Sequence, residues 1–322
     1  MSKDFPDPPT SPSGLPAGAG EAGFWGELTA RKDFLNFWNE AVAELESLAP
    51  SWDLKACPDK STKGVQVSEL LFNGAGLPDK GGTLVPGWYA RPSSAGPFPG
   101  IAIFHDYGEK RSPPVKFARE GFAAISITWW GEESRGWEEF LAGGIESAAT
   151  FALKEAFLNA YRAVEFLETR PEVDTSRLGA MGHNMGGVVA LTAGALADDS
   201  ASFIIAESPS IEPLTFKIQS FLEAHPAKVK RIKEVLSYFA PLNFAPHIRA
   251  PVLISLRLKN RLSPPETVYA IYSALQCPKR MEVLSESAHK AGTEPEERSR
   301  RRRPHAWSQK ATKKWLKELA II

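Results

Sequence analysis

Gly182-His183-Asn184-Met185-Gly186 stands between two segments of opposite character. Arg177-Leu-Gly-Ala-Met-Gly182 leads in as a strand-like run, and Gly187-Val-Val-Ala-Leu-Thr-Ala-Gly-Ala-Leu196 leads out as small and apolar residues at helical spacing. Flanking glycines permit a sharp strand-to-helix turn, which lifts the central side chain into a cleft above a parallel sheet. In a G-x-S-x-G elbow that side chain is the attacking group, Ser or its Cys and Asp counterparts. Here it is Asn184, whose carboxamide is not a useful nucleophile. The pattern predicts the backbone of an acyl-transfer elbow without its reacting atom.

The segments on either side fit that frame. Asp33-Phe-Leu-Asn-Phe-Trp-Asn-Glu-Ala-Val-Ala-Glu-Leu45 carries apolar residues at helical spacing and predicts an amphipathic helix at the start of the folded part. Runs at about 64–72 and 84–91 predict strands in an antiparallel entry. Gly100-Ile-Ala-Ile-Phe-His105 and Ala123-Ala-Ile-Ser-Ile-Thr-Trp129 are continuous apolar runs, as strands covered on both faces require. A long helix is expected over roughly 143–169. Three further strands follow in Ser202–Glu207, Pro251–Leu256 and Arg280–Ser285, with helices near 226–239, 265–275 and 306–320. Strand alternating with helix predicts an α/β fold, a mostly parallel central sheet flanked by helices on both faces. Residues 1–22 are rich in Pro, Gly and Ser and read as a disordered tail; 23–322 read as one domain.

Composition narrows the function. Of 322 residues, 38 are basic and 38 acidic, so no overall field favours nucleic acid or an anionic membrane. The run Arg298-Ser-Arg-Arg-Arg-Arg303 reads as a solvated loop beside the acidic Glu294-Pro-Glu-Glu297. Two cysteines, Cys57 and Cys277, give no disulfide framework. No leader-like start or membrane-length apolar run is visible, so a cytoplasmic location is expected, with no nucleic-acid or membrane partner. No Cys/His metal spacing, P-loop or dinucleotide fingerprint is present, and neither metal nor cofactor is expected.

With the elbow placed, the chain from Asp33 to about His289 resembles the carbohydrate esterase family 7 enzymes, the acetyl xylan esterases and cephalosporin C deacetylases of the α/β-hydrolase fold. The resemblance is carried by Asp33-Phe-Leu-Asn-Phe-Trp38, Gly87-Trp-Tyr-Ala-Arg-Pro92, Ala163-Val-Glu165 with Pro171-Glu-Val-Asp-Thr-Ser-Arg177, Leu236-Ser-Tyr-Phe239, Asn243-Phe-Ala245, Ala250-Pro-Val-Leu253 and Pro264-Pro-Glu-Thr-Val-Tyr-Ala-Ile-Tyr272. It implies a Ser–His–Asp triad, and this chain departs from it. The family's Gly-Gly-Ser-Gln-Gly elbow reads Gly182-His-Asn-Met-Gly186. Its triad Asp, just before a Pro-Pro pair, matches Asn260, and its catalytic His matches His289, followed here by Lys290. The family's Arg-Gly-Gln signature is replaced by Thr128-Trp-Trp-Gly-Glu-Glu133, followed by a shortened segment. Hexamers are typical of the resembled family, so a homo-oligomer is the implied assembly.

The resemblance gives His289 as base, Asn184 and Asn260 as altered nucleophile and acid positions, and the backbone N–H groups of Tyr107 and Met185 as an oxyanion hole. Backbone donors depend little on side-chain identity, so the hole is expected to persist. Glu207, at a strand end, is a candidate alternative acid, against the plainer reading of a local hydrogen bond. Asp106, Trp130 and His183 are candidate ligand contacts, against turn stabilisation for Asp106 and packing for the other two. Four accounts of Asn184 stay open: decay of the site to a small-molecule binding cleft, a substitution introduced to trap substrate, non-hydrolytic proton-transfer chemistry through His289, and the amide form of an Asp-type elbow. Asn tolerates positive φ better than most residues, which suits the first.

Overall fold

The computed structural model describes residues 28–75, 84–131, 143–211, 222–223, 225–258, 263–284 and 310–322. The chain enters through a helix, α1 (Phe34–Glu46), and three strands, β1 (Trp52–Ala56), β2 (Val65–Asn73) and β3 (Leu84–Pro92). There follow β4 (Phe98–Phe104), α2 (Val115–Arg119), β5 (Ala123–Ile127), α3 (Ala152–Glu168), β6 (Val173–His183), α4 (Met185–Leu196) and β7 (Phe203–Glu207). The described elements end with α5 (Val229–Leu236), α6 (Pro241–Phe244), β8 (Val252–Leu256), α7 (Pro265–Ala274), β9 (Lys279–Val283) and α8 (Lys310–Glu318).

The strands form one sheet in the order β1-β2-β3-β5-β4-β6-β7-β8-β9. β1, β2, β3 and β5 pair antiparallel in succession. From β5 to β9 every pairing is parallel. The α/β architecture expected from the alternation of strand and helix is therefore observed, with the antiparallel entry on one side. All residues of β4, β5, β7 and β8 are buried, as strands covered on both faces must be. Alternate residues serve opposite faces. Ala102 and Phe104 of β4 join the larger core cluster with α1, α3 and α4. Ile101 and Ile103 face the other way, onto Phe203, Leu253 and the α8 residues Trp315 and Leu316.

The topology fixes where a site can form. After β4 the chain crosses to β5 on one side; after β5 it returns to β6 on the other. The carboxyl ends of β4 and β6 thus flank a switch point, where loops diverge and leave a crevice. Phe104 pairs with Gly182, so residues 105–107 and 183–185 leave the sheet side by side.

Several boundaries differ from expectation. The helix foreseen over 143–169 begins only at Ala152: Gly144 turns at φ 71°, and Phe151 is extended at ψ 130° as the residue before the helix. A Cβ on Gly144 would lie 2.0 Å from the Thr150 carbonyl oxygen, so only glycine fits this turn. The helix foreseen over 226–239 opens as a 3-10 turn (Pro226–Lys228), and its α part ends at Leu236. β1 was not foreseen; it is a short edge strand with no buried residue and only a weak apolar pattern. The tail 1–22, residues 306–309 of the last expected helix and the basic run 298–303 lie outside the described residues.

Candidate active site

The elbow is formed. Asn184 has φ 50° and ψ −119° between β6 and α4, a backbone sparsely populated for residues other than glycine. Two glycines make the turn sterically possible. A Cβ on Gly182 would stand 1.9 Å from the Gly186 carbonyl oxygen, and one on Gly186 would stand 2.1 Å from that of Phe104. Both distances are far inside contact, so α4 can seat against β4 and β6 only with hydrogen at these positions. The Asn184 N–H donates to the Glu207 carbonyl at 2.9 Å, and the Asn184 carbonyl accepts from Val188 and Ser210 N–H.

The facing turn is anchored from behind. The His105 carbonyl accepts from the Trp129 indole at 2.9 Å, and the His105 ring Nε2 lies 2.8 Å from Ser126 Oγ on β5. Trp130 is almost fully buried and packs its ring 4.9 Å from that of Tyr107. These contacts point the intervening residue, Asp106, across the crevice toward α4.

Asp106 joins the two turns. Its Oδ1 accepts from Tyr107 N–H at 3.0 Å and from Met185 N–H at 3.2 Å, and its Oδ2 accepts from Asn184 Nδ2 at 2.8 Å. The two backbone donors expected to form an oxyanion hole therefore converge, and a carboxylate oxygen of the chain itself sits at their focus. Asp106 was expected to stabilise its own turn; the structure gives it the elbow side chain and the first residue of α4 as well. Burial pushes the Asp106 carboxyl above the ordinary carboxylate range, although donation from Asn184 and Met185 and the nearby His183 pull the other way.

His183, before the elbow residue, has Nε2 2.9 Å from Glu109 Oε2, so packing alone does not describe it. Burial disfavours its cationic form, but the Glu109 carboxylate, with Asp106 and Glu207 behind it, outweighs that and raises its pKa above the ordinary imidazole value. Glu207 accepts from Arg257 Nη2 at 2.7 Å and Nε at 3.2 Å, both on Oε1, and its side chain is 6% exposed. The carboxylate considered as an alternative acid is thus held in an ion pair at the ends of β7 and β8. His289 and Asn260 lie outside the described residues.

Glu109 and Arg257 were missed from sequence. Glu109 follows a Gly turn and Arg257 comes just after β8, and their importance depends on sheet register, which no local pattern encodes. Among the described residues, no group of His, Cys, Asp and Glu could hold a metal ion, and no helix is long and apolar enough to cross a membrane.

Comparison with known proteins agrees with the geometry. The chain is similar to the acetyl esterase Axe7A of Xylanibacter ruminicola, 20% identical over 229 residues that cover 63% of this chain and 52% of that protein. It thus spans about half the length of that curated relative. Its fold is similar to the acetyl xylan esterase of Paenibacillus sp. R4, with TM-score 0.74 and 24% identity over 86% of this chain and 95% of that one. It is similar also to acetyl xylan esterase 1 of Thermoanaerobacterium sp. JW/SL YS485, with TM-score 0.71 and 21% identity over 85% and 94% of the two chains. The acetyl xylan esterase (AXE1) family profile matches residues 22–302, and with the elbow, the switch-point crevice and the parallel sheet in place, the chain belongs to that family.

Proposed function

We propose that this protein is a non-hydrolytic member of its esterase family, one that keeps the cleft for binding a small molecule and has lost serine acyl transfer. One observation carries the reading: the elbow side chain is the Asn184 carboxamide, held 2.8 Å from the Asp106 carboxylate. Acyl transfer on this scaffold needs an oxygen nucleophile, an imidazole to take its proton and a carboxylate to orient the imidazole. Asn184 supplies no such oxygen, and Asn260 at the acid position can orient an imidazole but cannot stabilise its cation. In serine proteases that acid-to-amide change alone costs about four orders of magnitude in turnover.

The test is hydrolysis of p-nitrophenyl acetate by the wild-type chain, with a fluorophosphonate probe in parallel. The expected results are background hydrolysis and no labelling. Turnover that His289→Ala abolishes would overturn the reading.

A second reading is favoured by the charged groups around the elbow. His183, paired with Glu109 and close to Asp106, joins His289 as a group that could move a proton. An enzyme that abstracts a proton next to a bound carbonyl, as in a lyase or isomerase, would use such groups without a nucleophile. Solvent deuterium exchange into simple carbonyl compounds, abolished by His183→Gln or His289→Ala, would favour this reading over the first.

A further inference from the structure

Asp106 presents its carboxylate to three donors, two from the backbone and one from the elbow side chain. One oxygen lies at the focus of two backbone N–H donors, 3.0 Å from Tyr107 N and 3.2 Å from Met185 N. The other faces the elbow side chain, 2.8 Å from Asn184 Nδ2. Every one of these contacts is a donor to an acceptor, and none requires a neutral ester. Met185 opens the twelve-residue helix α4, whose N-terminal N–H groups and dipole favour an anion. Asn184 completes the set, since its longer side chain carries an N–H donor to the second carboxylate oxygen.

We propose that this is a carboxylate-binding site whose resident ligand is the side chain of Asp106, and that the emptied site takes small monocarboxylate anions in preference to neutral esters. The proposal rests on the non-hydrolytic reading and gives its cleft a ligand class and an internal competitor. Asp106 holds the hole closed because it is tethered beside it: an intramolecular ligand competes at an effective concentration that a free acid does not reach in dilute solution. It also explains why an amide at the elbow suits the fold, since Asn184 Nδ2 gives the second carboxylate oxygen a partner that a Ser, Ala or Gly would supply less well or not at all.

Among the described residues, the groups facing Asp106 include Asn184 and Met185 from the elbow, His183 from the end of β6, and Tyr107 and Glu109 from its own loop; Glu207, paired with Arg257, acts on His183. The experiment is amide-resolved NMR of the full chain. In the wild type, the Met185 and Tyr107 amide protons should move together with one common midpoint above the ordinary aspartate range, and Asp106→Asn should abolish that midpoint. Glu109→Gln should leave their common movement in place.

Sodium acetate is then titrated with methyl acetate as the neutral control. Acetate should shift both amides in Asp106→Ala, with affinity raised roughly tenfold or more over wild type. Asp106→Asn, which keeps an oxygen in the hole, should behave like wild type, and methyl acetate should shift neither variant. Amides that titrate independently in the wild type would overturn the assignment, and this arm does not depend on Asp106→Ala folding. Equal acetate binding by wild type and Asp106→Ala, or methyl acetate binding as well as acetate, would overturn it too. Ester turnover by the wild type would defeat the non-hydrolytic reading while leaving the amide titration intact, so the two failures are distinguishable.

Discussion

Asn184 and Asp106, 78 positions apart in sequence, meet across the switch point of the sheet with Nδ2 donating to Oδ2 at 2.8 Å. The pair joins the apex of the elbow to the point where the Tyr107 and Met185 backbone N–H groups converge. Restoring a hydroxyl is therefore not expected to restore catalysis. Asn184→Ser alone should stay near background on p-nitrophenyl acetate, because Asp106 still saturates the Met185 and Tyr107 donors. Losing a single oxyanion donor costs about 10²–10³ in turnover, so Asn184→Ser with Asp106→Ala should exceed the single variant by about 10² or more in initial rate. Equal rates in the two variants would show that Asp106 does not obstruct the hole.

The His183–Glu109 contact predicts a pH dependence. The folded-state pKa of His183 is raised above its ordinary value of 6.5. The pair therefore stabilises the fold while the imidazole is charged and Glu109 ionised, and that contribution disappears as pH rises through the folded His183 pKa. Glu109→Gln should lower the His183 midpoint in an imidazole NMR titration. The stability gap between the two proteins should be largest below the ordinary imidazole pKa of 6.5 and should close as pH rises through the raised His183 pKa. The Glu109 side chain is half exposed, so the gap should stay within about 1 kcal/mol.

The elbow glycines are predicted to tolerate nothing larger. Gly186→Ala places a methyl 2.1 Å from the Phe104 carbonyl oxygen, a backbone atom that cannot swing aside. The expected outcome is a loss of about 3 kcal/mol or more by urea denaturation, or failure to fold. Gly108→Ala is the control: its added carbon meets nothing within 4 Å, and its cost should come only from the backbone strain at φ 75°.

Arg257 and Glu207 make a largely buried pair, 15% and 6% exposed at the side chains. Arg257→Ala removes the cation beside a buried carboxylate and should cost about 3 kcal/mol, whereas Glu207→Gln, which keeps an acceptor, should cost clearly less. Denaturant midpoints for the two variants and their combination check this. A Glu207→Gln variant of unchanged stability that nonetheless lost a measurable activity would return Glu207 to the catalytic candidates.

The legible parts of the fold were those where one residue pattern has one structural solution. Continuous apolar runs around Ile101–Phe104 and Ala123–Ile127 suit strands covered on both faces, and Gly182 and Gly186 around Asn184, between a strand-like and a helix-like run, suit an elbow. β1 escaped because an edge strand such as Trp52-Asp-Leu-Lys-Ala56 needs little apolar surface. The start of α3 was misjudged because the extended Phe151 belongs to a tertiary turn around Gly144. At the site, Asn184 was plain from its place in the motif. The position of Asp106 was not, because it depends on Phe104 pairing with Gly182, a long-range register that no window of sequence contains. Glu109 and Arg257 escaped for the same reason.

The strained elbow at φ 50° carries a carboxamide at its apex. Its geometry is enforced by the close seating of Gly182 against Gly186 and of Gly186 against β4, so the backbone is kept by architecture, independent of chemistry. A designer who exchanged the Asn184 side chain alone would leave that turn untouched, because neighbouring backbone rather than the side chain sets its shape.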